Sequence, residues 1–150
     1  LHMAMHSLTK SAIFFGVGYV SQLEGTQRIA DIRGLTRSQP LLGWLLVAAV
    51  VAIAGLPPFG IFTSEFLLVT STFARSPWLA MALVTGLLIA FSGLMLRLHA
   101  LAFGDSGKRH VLSAYRLAPM ALHLGLVAIA GLYLPQAINA WFRHVAGQLG

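Results

Sequence analysis

Of the chain's 150 residues, 57% are hydrophobic and only 9% charged, against about 25% charged in a soluble domain, which excludes a soluble globular protein and predicts a membrane one. The net charge of +6 is spread over short segments between apolar runs, as in loops on the positive-inside face of a membrane, and this excludes nucleic acid as a partner. The absence of cysteine excludes disulfides, thiolate metal sites and a cysteine nucleophile.

Met3 to Leu23 reads as a first span of about 20 residues. One half, Ala12 to Val20, is apolar. The other carries His2, His6 and Lys10, spaced i, i+4, i+8 and so on one helix face. A helix end in the interface accounts for His2, less well for His6, and poorly for Lys10. Lys10 lies about 12 residues, or roughly 18 Å, from the inner end of the span, too deep to reach water easily, so it must face protein or a hydrated path. No charged n-region of a signal peptide precedes the span. The apolar pattern is under way from the first residue, and the chain is expected to be the C-terminal part of a longer protein.

Glu24 to Pro40 is a polar connection with Arg28, Arg33 and Arg37 set against Glu24 and Asp31. Gln27 to Arg33 is expected to form a short amphipathic helix at the membrane surface, ended by Gly34. Next come two apolar halves, Leu41 to Ala54 and Gly60 to Ala74, around the break Gly55-Leu-Pro57-Pro58-Phe-Gly60. The prolines remove two backbone donors and the glycines add freedom, so no continuous helix passes through. Each half is about 15 residues, roughly 22 Å, short for a bilayer core of about 30 Å. They form either two cramped spans or one discontinuous span. Trp78 to Leu98 is a clean span opened by Ser76-Pro77. Phe103 to Arg116 is a polar loop with Lys108 and Arg109. Leu117 to Ile138 is the last span, followed by an interfacial tail anchored by Trp141.

Charge parity favours one discontinuous span. The loop before Leu41 and the loop containing Lys108 and Arg109 are both basic, and both should be cytoplasmic. They fall on the same side only if the broken stretch crosses once. The expected fold is an all-α, polytopic transmembrane helical protein forming one membrane domain over residues 1–150. It has about four crossings, the second a discontinuous helix, with both ends outside.

Glu65 lies about ten residues before Arg75, roughly 15 Å from the outer surface. Among the charged residues only Lys10 and Glu65 are this deep. Two opposite titratable groups at one level point to a proton relay, and exposed backbone at the break could hold ordered water beside the hydroxyls of Thr63 and Ser64. The alternative is a static ion pair locking two helices. His99, at the inner end of the third span, reads first as interfacial and only weakly as a relay group; His123, about one and a half turns into the last helix, is given no functional role. The five methionines are scattered and form no metal site. Gly86, Gly93, Gly125 and Gly131 are expected to allow close helix packing. No phosphate loop, cysteine pattern or hydrolytic triad is present, so the chain is not expected to catalyse covalent chemistry by itself.

The segment His2-Met-Ala-Met-His6-Ser-Leu-Thr-Lys10-Ser-Ala-Ile-Phe-Phe resembles the His-rich, Lys-bearing helix of the antiporter-like membrane subunits. These occur in respiratory complex I, Mrp cation/proton antiporters and membrane-bound nickel–iron hydrogenases. Gly25 to Leu35 is similar to the connection that follows that helix. Ala54-Gly-Leu-Pro-Pro-Phe-Gly-Ile-Phe-Thr-Ser-Glu65-Phe is similar to the family's second discontinuous helix. The resemblance covers residues 2 to 66 and looks most like the hydrogenase-4 component F type. It implies about 14 spans in two inverted repeats, each with a broken helix, this chain supplying the last four. It implies that Lys10 is the relay lysine, that His6 and His2 are its histidines, and that Glu65 is the broken-helix charge on a hydrated mid-membrane axis. Glutamate there points toward the complex I and hydrogenase types. The resemblance also implies other membrane and peripheral subunits as partners, with quinone, iron–sulfur and nickel–iron cofactors in those subunits and none in this chain. The location it implies is the inner (plasma) membrane of a prokaryote. The expected function is a proton-translocating membrane subunit of a hydrogenase-4 or complex I-like oxidoreductase. The alternatives are an Mrp-type sodium/proton antiporter subunit and a structural membrane anchor.

Overall fold

The structure, a computed structural model, describes residues 1–105 and 113–148, and the regular structure among them is helical. Lys108 and Arg109 lie outside the described residues. Helix α1 spans His2–Glu24. It ends where Gly25 turns left-handed, φ 66°, and its N–H reaches the Ser21 carbonyl at 3.0 Å, the backbone conformation glycine adopts at least cost. The expected surface helix over 27–33 is replaced by a single 3₁₀ turn, Ile29–Asp31, and a short helix α2, Leu35–Ser38, that starts after Gly34. Gly34 has φ 64° and so opens an element where it was expected to close one.

Helix α3, Pro40–Ile53, begins on a proline whose missing N–H costs nothing at a helix start. It ends with two backbone bonds that close a Schellman motif. Leu56 N–H donates to the Val51 carbonyl and Gly55 N–H to the Ala52 carbonyl, both at 3.2 Å, with Gly55 left-handed at φ 69°. Two prolines follow, and helix α4 starts afresh over Gly60–Arg75. Helix α5, Pro77–Ala102, is the longest at 26 residues. Helix α6 covers Ala118–Leu132 and helix α7 Gln136–Gln148.

The path of α3 and α4 is fixed by their neighbours. Along α1, Gly16 meets Leu46, Met5 meets Gly60, and His2 meets Ser64. The order is monotonic, so α3, the break and α4 pass α1 in one direction. Helix α5 runs back beside both halves. Thr36 donates to the Ala102 carbonyl at 2.6 Å, and the Trp44 and Phe103 rings lie 6.2 Å apart at the α3 end. A shallow groove joins Ala54, Gly55 and Leu56 to Val84 and Phe91 at mid-length, and a second joins Val69 and Phe73 to Ala80 and Thr85 beyond. Thus α3 and α4 form one discontinuous element. The basic connection and the end of α5 meet at one end of the bundle, where Arg37 also lies 3.9 Å from Asp105, as charge parity predicts. Tyr19 joins them there by donating to the Arg116 carbonyl at 2.6 Å.

The last expected span, 117 to 138, is not one helix. Helix α6 stops at Leu132 and α7 starts at Gln136, because Pro135 would lack a donor and clash with the preceding turn inside a helix. Helix α7 places Ile138, Trp141, Phe142 and Val145 on one side at i, i+3, i+4, i+7 spacing.

Residues 77–102 and 114–132 are long and apolar enough to cross a membrane. Helix α1 has the length, at 23 residues, but His2, His6, Lys10, Gln22 and Glu24 dilute its apolar character. The core joins α1, α3, the break and α6 through Met5, Ala12, Leu46, Ala49, Ile61, Met120 and Val127. Helix α5 stays outside it, with Leu88, Ile89 and Leu96 exposed; outward apolar side chains of this kind suit lipid or neighbouring subunits. Of the glycines expected at close packing, only Gly131 is at one. A Cβ there would strike the backbone of the break, whereas Gly86, Gly93 and Gly125 have open space.

Candidate functional site

The break brings the ends of two half-helices together, with Pro57 and Pro58 exposed and Phe59 and Gly60 buried. The C-terminal carbonyls of α3 are partly satisfied by the Schellman bonds. At the start of α4, Phe59 has extended backbone and supplies no side-chain cap, leaving N–H groups of the first turn without intrahelical partners. The Pro57–Pro58 bond is cis. Helix α6 holds this turn from one side. A Cβ at Gly131 would come within 2.6 Å of Phe59 C and 2.7 Å of Gly60 N, and would also meet the Pro58 carbonyl oxygen. From the other side, Met5 of α1 covers Gly60, its Sδ lying 2.9 Å from where a Cβ would stand.

Glu65 is partly buried on α4. Helical side chains lean toward the N-terminus, and that of Glu65 reaches back across the break. Its Oε2 lies against Gly55, in the space a side chain there would fill. The preceding residue, Ser64, ties α4 to α1. Its hydroxyl lies 2.8 Å from the Ile61 carbonyl oxygen and is hydrogen-bonded to His2 Nδ1 at 2.9 Å, the imidazole tautomer setting which of the two donates. The His2 and His6 rings stack with centroids 5.7 Å apart and planes 20° from parallel. His6 is half-buried between His2 and the next turn of the same face, which carries Lys10.

Ser64, His2 and His6 touch in turn, and Glu65 follows Ser64 along α4 with its carboxylate turned to Gly55. Lys10 continues the line on α1 but is exposed on this chain and lies about 12 Å along the helix from His2. It does not sit opposite Glu65. The residue of α1 that meets the glutamate's turn is His2. The ion pairs among the described residues are Arg28–Asp31 and Arg37–Asp105, and a Lys10–Glu65 pair is not among them. His99 is on α5, one turn before the Ala102 carbonyl that accepts from Thr36, with its ring 5.5 Å from Phe103. It is at the basic end of the bundle, away from the break. His123 Nδ1 donates to the Pro119 carbonyl at 2.6 Å, and its ring tilts against Phe15; that proton is engaged in a bond within α6. Among the described residues no three His, Asp or Glu side chains gather as a metal site would require.

The clamp of Gly131 on the break and the Gly55–Glu65 contact go beyond the sequence reading, which gave Gly131 close helix packing but no partner. Gly131 carried a signal, being a small residue in an apolar helix. The contact carried none, because it depends on how the half-helices are angled.

Residues 1–90 match the family model described as "NADH:quinone oxidoreductase/Mrp antiporter, TM". The chain is 53% identical over 146 residues to a protein of Methylacidiphilum infernorum named hydrogenase-4 component F homolog, covering 96% of this chain and 30% of that protein. It is 31% identical over 109 residues to a Na(+)/H(+) antiporter subunit of Alkalihalophilus pseudofirmus, covering 71% of this chain and 22% of that one. It is 36% identical over 92 residues to an NADH-quinone oxidoreductase subunit of Desulforudis audaxviator, covering 60% and 18%. The chain thus spans about a third or less of the length of these relatives.

Proposed function

Because the chain belongs to the NADH:quinone oxidoreductase/Mrp antiporter transmembrane family, we propose that it forms part of a proton-translocating membrane subunit in a hydrogenase-4 or complex I-like oxidoreductase. Protons pass along Lys10, His6 and His2 of α1 to Glu65 at the break, with water between them, and leave toward the outer side. Helix α1 supplies titratable groups at one-turn spacing, which keeps each transfer short. The break supplies backbone polar groups that hold water where a continuous helix would exclude it. Redox chemistry belongs to other subunits. Nickel–iron, iron–sulfur and quinone sites are assigned there, and this chain contributes the ion path in the plasma membrane of a prokaryote. The weak role given to His99 is as a group at the cytoplasmic entrance.

The observation that supports this reading best is the contact of Ser64, beside Glu65 on the broken helix, with His2 on the His-Lys face of α1. The test is Lys10→Ala in the full-length subunit, assembled into its complex and reconstituted in vesicles. Proton uptake per electron pair is expected to fall by about tenfold or more, the scale on which a positioned proton carrier acts, with electron transfer and assembly retained. Undiminished uptake would exclude Lys10 from the path. Loss of assembly with uptake preserved in the remaining complex would favour the anchor reading.

One alternative has its own support. The identity to a Na(+)/H(+) antiporter subunit fits a sodium/proton exchanger that uses the same residues without a redox partner. In that case vesicles exchange protons on a sodium gradient alone, and addition of an electron donor changes nothing.

A further inference from the structure

We propose that Gly55 is a positioning residue for Glu65: its missing side chain is the notch that seats the carboxylate, a role separate from ending helix α3. Two different demands meet at this glycine. The first is its left-handed backbone, φ 69°, which an L side chain adopts only with strain. The second is space. A Cβ built on Gly55 would meet Glu65 Oε2 directly, with Cδ at 2.7 Å and Oε1 at 3.3 Å. All three atoms belong to the carboxylate, so the group that fills the notch is the one assigned to carry the proton. Gly25 separates the two demands. It has nearly the same backbone, φ 66°, and nothing within 4 Å of an added Cβ.

The seat fixes where the acid stands. Glu65 is anchored on α4, but its carboxylate rests on the last turn of α3. One side chain thereby bridges the break and keeps its oxygens next to the Ser64 turn that His2 contacts. With the notch filled, the carboxylate must swing out, and its distance to either neighbour on a proton path changes by an ångström or more. Displacements of that size cost transfer rates heavily.

This inference rests on the proposed proton path for its functional consequence, but the seat can be tested apart from it. The full-length subunit in its assembled complex would be prepared as Gly55→Ala, Gly25→Ala, Glu65→Asp and the double variant Gly55→Ala with Glu65→Asp. Proton uptake in vesicles and the infrared carboxyl band that appears on acidification and is missing in Glu65→Gln would be read for each. Gly25→Ala carries the same backbone strain but fills no occupied space, and is expected to match the wild type in band position and in uptake per assembled complex. Gly55→Ala is expected to lose about tenfold or more in uptake and to shift the band. The shorter aspartate withdraws the carboxylate, so the double variant is expected to exceed the product of the two single effects by roughly threefold or more. A Gly55→Ala band and uptake like those of Gly25→Ala would overturn the proposal, as would independent multiplication of the two changes. If Gly55→Ala fails to assemble, Gly55→Asn, which tolerates a left-handed backbone but still fills the notch, should fail too. Restored assembly in the double variant would then support the seat, and continued failure would overturn it. If Glu65→Gln leaves uptake intact, the proton path through Glu65 is wrong, yet the band shift in Gly55→Ala still decides the seat.

Discussion

Glu65→Gln in the assembled complex is expected to reduce proton translocation by about tenfold or more while the subunit still accumulates at the wild-type level. Glutamine has the same shape, so it can still cross the break and occupy the space at Gly55. It cannot release and rebind a proton. The ion pairs among the described residues do not include Glu65, so removing its charge breaks none of them and should leave the helices held together. This separates a relay from a structural lock, for which the neutral variant would lower assembly before transport. The measurement is acidification of vesicles by the reconstituted complex, normalised to assembled subunit. Wild-type acidification with Glu65→Gln would remove Glu65 from the path.

The second large effect is expected at a residue with no chemistry of its own. Gly131→Leu should abolish most of the assembled subunit. A Cβ at this position would already lie 2.6 Å from Phe59 C and 2.7 Å from Gly60 N. These are backbone atoms, which cannot step aside as a side-chain end can. Overpacking a core against movable side chains costs about 1–3 kcal/mol, and contact with the main chain of a proline-constrained turn should exceed that range. Gly125→Leu, one and a half turns or so earlier on the same helix, has nothing within 4 Å of an added Cβ and serves as the control. Subunit level in the membrane and thermal midpoint in detergent would both be measured. Equal behaviour of the two variants would show that α6 does not clamp the break.

Much of this arrangement is legible in the sequence, for local reasons. Pro40 and Pro77 mark two helix starts, and Pro57 and Pro58 one interruption, because proline acts on its own backbone and the turn before it. The expected halves 41–54 and 60–74 accordingly differ by a residue at most from α3 and α4. The His2, His6 and Lys10 face follows from helical period alone. The end of the last span escapes a reading by hydropathy, although Pro135 announces it, because an apolar run hides a missing donor. The partner of Glu65 escapes for a different reason. Depth counted along each helix from its own end puts Lys10 level with Glu65, but the helices are offset, and only packing through Met5 and Gly60 sets that offset. The seat at Gly55 also lies beyond any sequence signal, since a Schellman glycine looks the same whether or not an acid fills its empty side.

The unbroken α5 alongside the interrupted α3–α4 pair has a mechanical meaning. Two short rods joined by a tight turn and strapped to one long rod cannot draw apart. Helix α5, 26 residues long and roughly 39 Å by helical rise, runs beside both. If the break changes shape during turnover, the change is then angular. Spin labels at the far ends of α3 and α4 should keep their separation almost unaltered, while a label beside Pro57 moves relative to α5. An extension between the far ends would mean that the strap itself gives way.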